Sequence, residues 1–191
     1  SGAFAGCTNI ETATMAADLF TYISKYNLTT AVITQGTELP SSMFSGCTAL
    51  QSVTLPMELV TIGTNAFYGC TGLKSLNMTP EITFIGEDAF RETSIARVDA
   101  HDLESWCSIT FENHFSNPAS GGMLYVSNVP LDLLDIPETV TSISDYAFYN
   151  FTSVNVVAIR HAGVEIGEYS LYGIKPTCLI IHTDYIPTFA D

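Results

Sequence analysis

The sequence predicts a mainly β solenoid in which short parallel strands, one per repeat, stack into a curved array with a parallel sheet along one wall. Three observations carry that reading. An aromatic or apolar residue recurs in 23-residue steps, from Phe44 to Phe67 to Phe90 and again from Phe148 to Leu171, at its clearest in the strings Met43-Phe44-Ser45-Gly46-Cys47-Thr48 and Ala66-Phe67-Tyr68-Gly69-Cys70-Thr71. An Ile-Gly-like pair precedes it, at Ile62-Gly63, Ile85-Gly86, Ile143-Ser144 and Ile166-Gly167. An apolar triplet spaced i, i+3, i+5 follows it, and the last two members alternate as a strand with one buried face requires. A unit of about 23 residues is too small to bury its own apolar face, whereas copies stacked at roughly 4.8 Å per strand bury a continuous one.

The triplets place the elements in order. Ile10/Ala13/Met15 and Leu28/Ala31/Ile33 open the array, Leu50/Val53/Leu55, Leu73/Leu76/Met78 and Ile95/Val98/Ala100 continue it, and Leu131/Leu134/Ile136, Val154/Val157/Ile159 and a weaker Leu179/Ile181 copy complete it. The triplets starting at Leu28, Leu50, Leu73, Ile95, Leu131 and Val154 are expected to form one parallel sheet in sequence order. Two segments, about 15–27 and about 100–130, break the 22–23-residue spacing. The first carries Ala16, Leu19, Phe20 and Ile23 at the spacing of a short amphipathic helix. The second holds Trp106, the only tryptophan, a helical turn expected over 102–107 and a Gly121-Gly122 hinge. It is expected to bulge from the array, with Trp106 and Cys107 plugging the core where it leaves. In this register Phe67, Phe90 and Phe148 are core residues.

No Pro-rich or Gly/Ser-rich linker divides the chain, so residues 1–191 read as a single domain. Residue 3 already stands in mid-repeat, and the chain stops ten residues after Ile181 without a polar capping repeat. The expectation is a fragment of a longer array, with weak self-association through uncapped ends and Tyr185, Ile186 and Phe189 as a partial cap.

The Ile-Gly-x-x-Ala-Phe-x-Gly-Cys-Thr string, followed by a Leu-x-x-Val-x-Leu-Pro pattern such as Leu50 to Pro56, resembles the BspA-like (Treponema-type) leucine-rich repeat family of bacterial surface proteins. The likeness covers nearly the whole chain. The segment from Asp102 through Trp106 and Phe111 to Leu124-Tyr125-Val126 and Asp135-Ile136-Pro137 is similar to an insertion that recurs in gut-bacterial members. Ser127-Asn128-Val129-Pro130 departs from the tighter Asn-Gly-type hairpin of such proteins. The resemblance implies a leucine-rich-repeat solenoid, an extracellular or cell-surface location and an adhesive role.

Composition narrows the function from the other side. Twenty acidic residues against six basic ones give a formal charge of −14, which repels phosphate backbones and anionic lipid headgroups. Nucleic acid is therefore not an expected partner. The longest uncharged stretch, Leu39 to Met57, carries two prolines and many Ser and Thr, so no membrane insertion of this segment is expected. Cys7, Cys47 and Cys70 share one repeat position and read as a buried, reduced ladder in preference to a Cys47–Cys70 disulfide. No Cys-x-x-Cys pair exists, and His101, His114, His161 and His182 share no repeat register, so neither metal nor cofactor is expected. Cys107 with His114 lacks any cysteine-protease signature. The pairs Glu87/Asp88 and Asp132/Asp135 read as solvated surface in a chain this acidic. A phosphate loop, a nucleophile elbow and an EF-hand loop are all missing, so the chain is expected not to be an enzyme.

What remains is surface. The register points Thr30, Ser52, Ser75, Arg97, Leu133, Val156 and Cys178, and two residues further on Val32, Thr54, Asn77, Asp99, Asp135, Ala158 and Ile180, away from the core. This wall turns apolar toward the C-terminus, which marks either a partner surface or a face covered by the 101–123 insertion or by downstream sequence. Tyr146 and Tyr169 stand two before the repeated aromatic position, and Tyr149 and Tyr172 one after it. Stacked tyrosines offer flat amphipathic area to protein or sugar, although identical positions in adjacent coils also touch without any function. The candidate partner-binding residues are thus Arg97, Leu133, Asp135, Val156, Ala158, Ile180, Tyr146, Tyr149, Tyr169 and Tyr172. The expected function is a non-catalytic surface or secreted adhesion module recognising an extracellular or host protein, or a glycan. Its rival is a structural spacer that holds another domain away from the cell.

Overall fold

A computed structural model describes residues 4, 6–181 and 188–189. The chain winds as a three-walled coil, and each wall is a ladder of backbone hydrogen bonds between successive turns. The front wall contains the triplet strands, all parallel and in the predicted order of faces: Thr30 pairs with Ser52, Val98 with Leu124, and Val157 with Leu179. The inward residues are the alternating members of the triplets. Ala31, Val53, Leu76, Val98, Leu134 and Val157 are all buried.

The front wall is not one sheet. Thr12–Met15, Thr30–Ile33 and Ser52–Thr54 form a first sheet, Ser75–Asn77, Arg97–Ala100 and Met123–Val126 a second, and Leu133–Ile136, Val156–Ile159 and Cys178–Ile181 a third. Pairing lapses between Ser52–Thr54 and Ser75–Asn77, which remain neighbours. The second break has a visible cause. Met123–Val126 turns back on itself and pairs antiparallel with Val129–Pro130, so its far edge is already taken when Leu133–Ile136 begins. Ser127 and Asn128 both have positive φ, 51° and 64°, as a two-residue hairpin of the type I′ class requires. The departure from Asn-Gly has therefore not cost the tight turn.

The segment expected to bulge is instead another coil. Thr110–Phe111 joins the back wall, and Met123–Val126 stacks on Arg97–Ala100, so the strand after the Ile95 triplet is the one at 123–126 and not the one at 131. Leu103–Cys107 is an α-helix whose N-cap Asp102 accepts from the Ser105 N–H at 2.7 Å. Trp106 is buried as predicted, and its indole Nε1 donates to the carbonyl of Ala147 at 2.9 Å, pinning the next coil.

The Ile-Gly pairs turn out to build a second parallel wall. Leu39, Ile62, Ile85 and Phe111 are stacked in register and buried, as are Ile143 and Ile166 further on. The glycine follows from close approach: a Cβ on Gly86 would lie 2.5 Å from the backbone nitrogen of Thr64 in the preceding coil. The third wall is a column of turns around the repeated aromatic. Phe44, Phe67 and Phe90 donate their N–H to Ala66, Ala89 and Phe115, and their rings stack at 5.4 and 5.2 Å with planes 15° and 9° apart. Phe67, Phe90 and Phe148 are buried as expected.

The first irregular segment differs from expectation in detail. Residues Ala17–Tyr22 form a 3-10 helix. Its three-residue turn aligns Ala17, Phe20 and Ile23 on the core, which leaves Leu19 46% exposed. Phe20 packs edge-on against Phe44 at 5.3 Å and so fills the aromatic slot of the coil between Thr12–Met15 and Thr30–Ile33, outside the 23-residue spacing. Phe4 and Cys7, which precede the first strand, are exposed, and Cys7 is not part of the buried cysteine ladder. Cys47 and Cys70 are buried and free, and the Cys70 thiol donates to the carbonyl of Phe44. At the other end, Tyr185 and Ile186 of the expected cap lie outside the described residues. Thr188–Phe189 pairs with Glu165–Ile166, and nothing further is described of the Phe189 side chain.

Candidate functional site

The turn wall repeats one backbone conformation. The residue two before the aromatic slot has positive φ in every regular coil: Ser42 at 60°, Asn65 at 56°, Asp88 at 55°, Tyr146 at 59° and Tyr169 at 53°. Ser, Asn and Asp are short polar side chains, two of which visit this left-handed region readily; a bulky aromatic there is strained. The next coil nevertheless receives the N–H of Tyr146 at the carbonyl of Glu168, and that of Phe148 at Ser170, so the strain is held by the ladder.

The consequence is a cluster of rings. Tyr146 and Tyr169 stack at 5.6 Å with planes 11° apart, and Tyr149 and Tyr172 stack at 5.1 Å with planes 13° apart. Within each coil the two tyrosines meet edge to face, at 6.0 Å and 63° in one and 5.9 Å and 76° in the other. Two short stacks therefore meet near a right angle. Tyr146 and Tyr149 are half-buried, whereas Tyr169 and Tyr172 are exposed.

His114 closes one end, 5.0 Å from Tyr149 and 6.5 Å from Tyr146. Spacing alone does not show the register of this histidine, because its coil is longer than 23 residues and Ser116 fills the aromatic slot. The hydrogen-bond register reveals it. Phe90 N–H donates to Phe115 as Phe67 N–H donates to Ala89, which puts His114 at the Asp88 position, directly before Tyr146 in the column. Tyr146, Tyr149, Tyr169, Tyr172 and His114 together line a cleft of about 310 Å³.

Buried Asn117 supports the cluster from beneath. Its Nδ2 donates to the carbonyls of both Tyr146 and Ala147 at 2.9 Å, and its Oδ1 accepts from the Ala119 N–H. Asp145 and Glu168 directly precede the two strained tyrosines, and the Asp145 carboxylate accepts the Glu168 N–H at 2.6 Å. Burial pushes the Tyr146 phenol above its ordinary value, and Glu168, Tyr169 and Asp145 add to the rise.

The other candidates stand on the front wall, apart from the tyrosines. Leu133 is 46% and Ile180 37% exposed, and Val156 is half-buried. Ala158 is fully buried, contrary to its outward assignment: its short side chain sits in register between Asp135 and Ile180. Asp135 is engaged by Arg160 at 3.0 Å. Arg97 lies in another sheet, where its guanidinium bonds Asp99 and Asn128 and covers the Tyr125 ring at 3.9 Å. These residues do not converge on a single site.

Cys107 and His114 do not form a nucleophile pair. Cys107 is buried and its thiol is pushed up to about 12 by burial, with Asp102 adding, while His114 faces the tyrosines. Among the described residues no group of three or more His, Cys, Asp and Glu is placed to hold a metal ion. No described helix is long and apolar enough to cross a membrane.

The family described as BspA type leucine rich repeat region matches the chain in six copies, over residues 37–118 and 124–190. Among solved structures, the chain is similar to a leucine-rich repeat protein from Bacteroides ovatus ATCC 8483, with 14% identity, a TM-score of 0.40 and coverage of 85% of this chain and 62% of that one. It is also similar to a leucine rich cell surface protein from Faecalibacterium prausnitzii A2-165, with 16% identity, a TM-score of 0.30 and coverage of 91% and 65%. The chain spans less than two thirds of either of those proteins. No curated protein sequence matches it.

Proposed function

The chain belongs to the BspA-type leucine-rich repeat family, and on that premise we propose that it is a non-catalytic binding module at the bacterial cell surface or secreted from it, recognising an extracellular or host protein, or a glycan. The observation that carries this reading is the tyrosine column: two coils spend backbone strain to place paired aromatic rings where three other coils carry Ser42, Asn65 and Asp88. Tyrosine supplies large amphipathic contact area at low entropic cost, which suits a recognition surface, whereas a spacer gains only the stacking itself. The apolar stretch at Leu133, Val156 and Ile180 is a second, weaker surface. The spacer reading is favoured only by the first coils, whose outward residues Ser52, Thr54, Ser75 and Asn77 are exposed and polar.

The test is a screen of the immobilised chain against extracellular-matrix proteins and a glycan array. Saturable capture of a defined protein or glycan supports the binder. No capture in either screen makes the chain a spacer.

A further inference from the structure

We propose that the cleft lined by His114, Tyr146, Tyr149, Tyr169 and Tyr172 is an aromatic cage for a trimethylammonium group. The inference rests on the reading of the turn wall as a binding surface and names the chemistry that this surface recognises.

Shape is the first argument. The two tyrosine stacks meet at 63° and 76°, so rings in two orientations bound the cleft instead of forming one flat platform. A sugar ring asks for a platform on which to lie. A compact, rounded cation asks for walls on several sides, and the negative ring faces attract it. The volume of about 310 Å³ stands at the small end of ligand sites, where a single headgroup fits.

The lining is the second argument. Five aromatic side chains make up the cleft, with no carboxylate, carboxamide or guanidinium among them. A pyranose would have to leave water for a wall that offers only phenol hydroxyls and one imidazole to its many hydroxyl groups. A quaternary ammonium has no N–H to satisfy and loses little by that exchange.

Charge is the third. Asp145 and Glu168 flank the cage in sequence, one before each strained tyrosine, and the chain carries −14 overall. That field draws cations and repels anions. Primary ammonium ions are attracted too, but they are more strongly hydrated and give up more in leaving water for walls made of rings.

The test is calorimetric titration of the full chain with choline, with its neutral carbon isostere 3,3-dimethyl-1-butanol, and with a panel of monosaccharides. Choline is expected to bind at least about tenfold more tightly than the isostere, since the difference between them is the charge alone. Tyr149→Leu is expected to abolish binding, Tyr149→Phe to preserve it because the ring remains, and Met57→Ser, at an exposed site elsewhere, to leave it unchanged. Thermal melts of each variant separate loss of binding from loss of fold. Equal affinity for choline and the isostere overturns the cage, as does the absence of choline binding. A monosaccharide that binds in a Tyr149-dependent way while choline does not overturns the cage but leaves the turn wall as the recognition surface. If the array screen captures a ligand and Tyr149→Leu has no effect on that capture, the assignment of recognition to this wall fails separately.

Discussion

If the aromatic column is a cooperative ladder, neighbouring phenylalanines are energetically coupled and distant ones are not. Phe44 and Phe67 are both fully buried and stack at 5.4 Å with planes 15° apart, and Phe67 continues to Phe90 at 5.2 Å. Phe148 is equally buried, yet among the described residues its ring meets one other aromatic ring, that of Phe151, edge-on at 5.5 Å. Replacing Phe67 by Leu keeps most of the buried apolar area and removes both stacked pairs. Each such pair contributes about 0.5–1.5 kcal/mol beyond burial, so Phe67→Leu is expected to cost about 1–3 kcal/mol from stacking alone. A double-mutant cycle isolates one of the pairs. Phe44→Leu with Phe67→Leu should show a coupling of about 0.5–1.5 kcal/mol. The cycle pairing Phe67→Leu with Phe148→Leu should be additive, because their rings share no partner. Urea unfolding followed by circular dichroism supplies the free energies, and the slope must stay constant between variants for the comparison to hold. Zero coupling at Phe44/Phe67, or equal coupling in the two cycles, would refute the ladder as an energetic unit. Truncation to Phe67→Ala adds a cavity and is expected to cost about 3–5 kcal/mol.

Three further outcomes follow from the same packing. Gly86→Ala would set a methyl group against the Thr64 backbone of the preceding coil, and urea midpoints should show a loss of about 1–3 kcal/mol, as for overpacked cores. Thiol labelling of the native protein at pH 8 should modify the exposed Cys7 and Cys178 promptly and spare Cys47, Cys70 and Cys107 until the chain unfolds, since burial pushes Cys70 and Cys107 up to about 12; mass spectrometry of the non-reduced protein should find no Cys47–Cys70 crosslink. Asp102→Ala should cost about 1 kcal/mol by uncapping the helix under Trp106. Burial alone would raise the Asp102 carboxyl, but hydrogen bonds from Ser105 and His101 hold it below the usual carboxylate range. Its contribution is therefore complete above the unfolded value near 4 and is lost as pH falls through the lowered folded value, so melts of wild type and variant should converge in acid.

The front wall was legible because Val53/Leu55 or Leu134/Ile136 each alternate with outward polar or charged neighbours, and period two has no other meaning at that length. The back wall was not. Its strands are two residues long, and a pair such as Ile62-Gly63 shows no period by itself; only the 2.5 Å approach at Gly86 explains why glycine follows isoleucine. The coil at 110–126 escaped because Ser116 stands where a phenylalanine marks the others, and with it went the register of His114. A one-sheet front wall was too simple because the apolar pattern of Met123–Val126 does not announce that its partner is the hairpin strand Val129–Pro130. Phe20 escaped the 23-residue spacing for a related reason: a 3-10 turn can present an aromatic to the core from outside the repeat. At the candidate site, the four tyrosines and their stacking were visible from spacing. Their strained backbone and the Asn117 amide beneath them were not, since neither follows from residue type.

We assign recognition to the turn wall. That assignment is tested most directly by measuring, for the tightest ligand captured in the array screen, the affinity of Tyr149→Leu/Tyr172→Leu beside that of Leu133→Ser/Val156→Ser. At least about a tenfold loss is expected for the tyrosine pair, equivalent to about 1.4 kcal/mol, with little change for the front-wall pair. A loss confined to Leu133→Ser/Val156→Ser would contradict it.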